Sequence, residues 1–110
     1  AQIVKGWVDA EGRTHERVFD VAGSADGGAS VDRETCAPTG AGAASLCSVW
    51  EDPAFDAAQP AFYYVRVLEI PTPRFTTYDA VRNNLPLLED VPATIQERAW
   101  SSPIWYSPKP

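Results

Sequence analysis

The sequence predicts a mainly β protein, an antiparallel β-sandwich or sheet with one short helix and long loops. Three observations predict it. Residues 61–70 (AFYYVRVLEI) are β-branched and aromatic on both faces, the composition of a central strand covered on each side. Residues 3–21 alternate around a turn signal as a hairpin does, and only one short stretch carries helix signals.

Taken in order, residues 3–9 (IVKGWVD) read as a strand and residues 9–12 (DAEG) supply a turn. Residues 14–21 (THERVFDV) then extend again, with Arg17, Phe19 and Val21 on alternate positions. Residues 22–44 are mostly Gly, Ala, Ser, Asp and Thr, too poor in large side chains to offset their ordering entropy, and are expected to form a surface loop. Residues 44–51 (ASLCSVWE) are expected as a partly buried strand with Leu46, Ser48 and Trp50 on one face. Asp52 and Pro53 stop it, because proline donates no ladder hydrogen bond, and Phe55 is expected to pin the following loop against the core.

Pro71 and Pro73 end the central strand. Thr76, with Asp79 three residues on, resembles a capping pair that opens a helix running through Arg82. Residues 85–92 (LPLLEDVP) hold two prolines and three leucines and are expected to pack as irregular chain over an exposed edge. Residues 96–106 (QERAWSSPIWY) read as a final strand interrupted at Pro103, a residue tolerated at an edge or bulge. No internal repeat is visible.

A length of 110 residues suits one β-domain, residues 1–110, with one core. With no methionine, the chain is expected to be a processed or excised piece of a longer protein. A net charge of −6 repels phosphate backbones and anionic lipid, so no nucleic acid is expected as partner. The longest apolar run, residues 61–65, is far short of the roughly 20 residues that span a bilayer, so no membrane insertion is expected either. Cys36 and Cys47 bracket a short loop. A disulfide between them is expected to stabilise by roughly 2–3 kcal/mol, and it suggests export. A structural zinc site would need four ligands, and the chain offers two cysteines and His15.

Catalytic groups are not apparent. His15 is the one imidazole, flanked by Thr14, Glu16 and Arg17 as on an exposed strand, and no GxSxG elbow accompanies any serine. Gly27 and Gly28 lack the strand–helix setting or the lysine of a phosphate loop. The pairs Glu51–Asp52 and Glu89–Asp90 are expected to be solvated loop charges rather than metal ligands. Arg66, in the middle of the apolar strand, requires a carboxylate partner or a route to solvent, and is the candidate for a buried ion pair. Trp7, Trp50, Tyr63, Tyr64, Trp100 and Trp105 would make a sugar-binding platform if several shared one exposed face; lying in predicted strands, they are expected in the core. The stiff segment 71–79 (PTPRFTTYD) projects Arg74, Tyr78 and Asp79 beyond the central strand, as binding loops often do.

Four runs, IVKGWVDAEGRTHERVFDVA, LCSVWEDPAFD, AFYYVRVLEIPTPRFTTYDA and VPATIQERAWSSPIWYSP, resemble the C-terminal region of a family of uncharacterised, often exported bacterial proteins. Members of that family are similar to the PHP-type (polymerase and histidinol phosphatase) metal-dependent hydrolases. Phe75 departs from the tryptophan expected after PTPR, and Cys47 from a small residue such as alanine. The resemblance implies that the divalent metal and its His and Asp ligands belong to an upstream catalytic domain. On that reading this segment, periplasmic or secreted, holds no catalytic residue and no cofactor. It packs on the upstream domain, with Arg74, Tyr78 and Asp79 facing it. The residues alone leave open a free-standing secreted carbohydrate-binding or interaction module.

Overall fold

The computed structural model describes residues 1–23 and 28–109. Gly27 therefore lies outside the described residues, while Gly28 sits in a loop at φ +58°. In chain order the strands are β1 (Gln2–Val8), β2 (Thr14–Asp20), β3 (Ser30–Val31), β4 (Pro38–Thr39), β5 (Ala61–Leu68), β6 (Thr72–Pro73), β7 (Thr94–Ile95), β8 (Arg98–Trp100) and β9 (Ile104–Tyr106). One helix, α1 (Phe75–Arg82), stands between β6 and β7. The mainly β, antiparallel class expected from the sequence is the class observed. The chain gathers into two compact units, Ala1–Gly23 with Ser45–Val67 and Ala99–Pro110, and Ser24–Ala44 with Leu68–Arg98.

The first unit is built on a five-stranded sheet, order β2-β1-β5-β8, with β9 also pairing with β5. Its N-terminal hairpin forms as the alternation requires, Val4 opposite Val18 and Trp7 opposite His15. Asp9 closes the turn: its Oδ1 accepts the backbone N–H of Glu11 at 3.0 Å and of Arg13 at 2.8 Å, and Gly12 takes the φ of +80°. β2 exposes Glu16, Arg17 and Asp20, charges that discourage further pairing at an outer strand. β5 is central, antiparallel to β1 and β9, although Val65 and Val67 are exposed and the strand is not covered on both faces along its length.

Register places Ile3, Lys5 and Trp7 on the same face as Val65, Tyr63 and Ala61. The chain between Ser45 and Pro60 covers this face as irregular structure, so the strand expected at residues 44–51 does not form. Side chains hold it instead: Trp50 lies 4.9 Å from Phe19 and 6.2 Å from Tyr63, and Phe55 meets Tyr106 edge-on at 4.9 Å, the pinning role expected of it. Cys47 and Val49 face solvent. The break expected in the last strand separates β8 from β9, where the Ser101 N–H donates to the Val65 carbonyl and the Ser101 hydroxyl accepts the Val65 N–H, both at 3.0 Å.

In the second unit, β3 pairs with β4 and β6 with β7. Residues 22–44 are not wholly a surface loop, since Val31 and Cys36 are buried. The Cys36 thiol donates to the Thr77 carbonyl at 3.9 Å, and both Cys36 and Cys47 are free. The expected bridge is absent because one thiol is buried beneath α1 and the other is exposed. α1 begins at Phe75, with Arg74 at its N-cap and no side-chain cap, so Thr76 is already helical and forms no capping pair with Asp79. Thr77 and Ala80 form the buried face, and the Thr77 hydroxyl donates to the Ala93 carbonyl at 2.6 Å. Residues 85–92 are irregular as expected but leave Leu85 and Leu88 exposed.

Candidate functional site

Three clusters of chemistry-bearing side chains stand out, two in the first unit and one in the second. On the covered face of the sheet lies a buried ion pair that the sequence reading assigned elsewhere. Lys5 Nζ donates to Asp52 Oδ2 at 2.5 Å and to the Ala54 carbonyl at 2.8 Å, with the two charged side chains 4% and 6% exposed. The Tyr63 hydroxyl donates to the same carboxylate oxygen at 2.8 Å, and the Ala54 N–H donates to Oδ1 at 2.9 Å. Lys5 also sits 5.0 Å from the Trp7 ring.

Burial opposes the charge on Asp52, but the hydrogen bonds from Lys5, Ala54 and Tyr63 with the Lys5 charge outweigh it, and the carboxyl pKa is lowered. Burial and the hydrogen bond to Asp52 push the Tyr63 phenol up to about 12. Every polar group of this cluster is thus satisfied within the chain, and it serves packing. Asp52 is not the solvated loop charge expected. The usable sequence signal was a lone lysine between Val4 and Gly6 on the face of Ile3 and Trp7, in a chain rich in acids.

Among the described residues Arg66 finds neither a carboxylate nor an ion pair. Its Nε and Nη2 donate to Gln2 Oε1 at 2.9 and 2.6 Å, and Gln2 Nε2 donates to Asp20 Oδ1 at 2.8 Å, a relay across the registered trio Arg66, Gln2 and Asp20. His15 is exposed, stacks on Trp7 at 5.1 Å and hydrogen-bonds Asp9 at 2.7 Å. That bond, with those of Arg13 and Glu11, lowers the Asp9 pKa to about 2. Among the described residues no three His, Cys, Asp or Glu side chains come together.

On the opposite face of the sheet, Phe62 folds over Gly6 so closely that a Cβ at position 6 would overlap its ring. Phe62 and Tyr64 stand nearly parallel, centroids 6.4 Å apart at 8°, and Trp105 stands 5.3 Å from Phe62 at 52°. Phe62, Tyr64, Trp100 and Trp105 line one shallow depression of about 320 Å³, with Ser101 and Pro103. Phe62 and Trp105 also wall an adjoining hollow of about 500 Å³ that reaches Thr14 and Glu16. Trp100 is 61% and Trp105 72% exposed, against the core packing expected of both. Trp7, Trp50, Tyr63 and Tyr64 are partly buried.

In the second unit, Arg74 caps α1 and is half-buried, its N–H donating to the Ala93 carbonyl at 3.1 Å. Tyr78, one turn on, lies under the Arg82 guanidinium at 5.3 Å, and Asp79 is exposed. None of the described side-chain hydrogen bonds joins Arg74, Tyr78 and Asp79; what they share is one end of a helix whose Phe75 is 72% exposed.

Neither a curated protein nor a solved structure matches this chain. Residues 1–108 match the family described as "Protein of unknown function (DUF3604)", nearly the full length, and the chain belongs to that family.

Proposed function

We propose that this chain is the non-catalytic, β-rich C-terminal part of a larger PHP-like metal-dependent hydrolase. In this reading an upstream domain holds the divalent metal and cleaves phosphoester or related bonds. The present segment packs on that domain and walls its active site. The observation that carries the proposal is surface: the chain exposes 8072 Å². A folded monomer of its 12.0 kDa exposes about 6,000 Å², and even two separate globules of half that mass about 7,200 Å². The excess is the scale of area that a stable interface removes from water.

In the second unit Phe75 is exposed beside Arg74 at the start of α1, and Leu85 and Leu88 are exposed beyond its end. Exposed apolar side chains close to Arg74 and Asp79 suit contact with another domain. Export belongs to the same proposal but rests on the family resemblance, because the thiols are free and lend it no support.

Arg74→Ala in the longer protein tests the role of the wall. We expect kcat/KM to fall about tenfold, a loss of roughly 1.4 kcal/mol of transition-state stabilisation, while the thermal midpoint stays within a few degrees. Unchanged activity would remove the site-lining role.

A further inference from the structure

We draw no further inference here: the strongest candidate, the open aromatic face of the five-stranded sheet around Phe62, Tyr64, Trp100 and Trp105, carries nothing because nothing in the structure shows what covers it.

Discussion

Lys5 occupies the interior of an apolar strand and is 4% exposed there. The reason is at Asp52: a carboxylate that accepts from Lys5, Ala54 and Tyr63 offsets the desolvation of both ions. Removing one partner leaves the other buried and uncompensated, so Asp52→Ala is expected to destabilise by about 3–5 kcal/mol, read from urea unfolding. The double substitution Lys5→Met with Asp52→Leu should recover most of that loss. The pH dependence follows from the shifts. The Asp52 pKa is lowered from 3.8 in the folded state, so its contribution is present above that value and lost as pH falls through the folded pKa. The Tyr63 pKa is raised from 10.0 to about 12, so its contribution is fully present below pH 10 and lost between 10 and 12. Tyr63→Phe should flatten the alkaline limb of stability against pH and, by removing one donor to Asp52, make the acid limb shallower without abolishing it.

At the scale of elements, what the sequence made legible was whatever rests on alternation and local turn chemistry. The hairpin of β1 and β2, the central β5 and the interruption at Pro103 each carry their own signal, and each formed. Residues 44–51 carry an alternating pattern too, yet tertiary contacts overrode it, because Trp50 and Asp52 find partners that hold the chain across the sheet rather than in it. Among the described residues of 22–44, the buried side chains Val31 and Cys36 were hidden in a run of small residues. The helix expected from a capping pair of Thr76 and Asp79 forms and runs through Arg82, but both residues lie inside it and Arg74 stands at its N-cap. Gly6 illustrates the limit: its φ is unremarkable, and its necessity appears only when Phe62 is laid over it. Gly6→Ala is therefore expected to cost about 1–3 kcal/mol through displacement of that ring. A thermal melt should show the loss, and Gly6→Ala combined with Phe62→Leu should recover part of it.

For the whole molecule, class and approximate core came from composition, while the candidate site did not. Tryptophans in predicted strands read as core because burial is their common fate. Only the pairing of β9 with the first residues of β5, which leaves Trp105 on the open face beside Phe62, turns them outward. Surface area is the property at this scale that most constrains function, and it makes a prediction independent of any ligand. An unfolded chain of this mass exposes roughly 17,400 Å², so folding to 8072 Å² removes about 9,300 Å², against roughly 11,400 Å² for a well-covered monomer of equal mass. The denaturant dependence of unfolding scales with that difference. The urea m-value of the 110-residue protein should therefore fall about a fifth below that of globular domains of the same length. It should rise toward the ordinary value when the longer polypeptide covers the exposed surface. An ordinary m-value for the isolated chain, with sizing that shows a monomer, would mean that its apolar surface is already covered within itself, and the docking reading would fail with it.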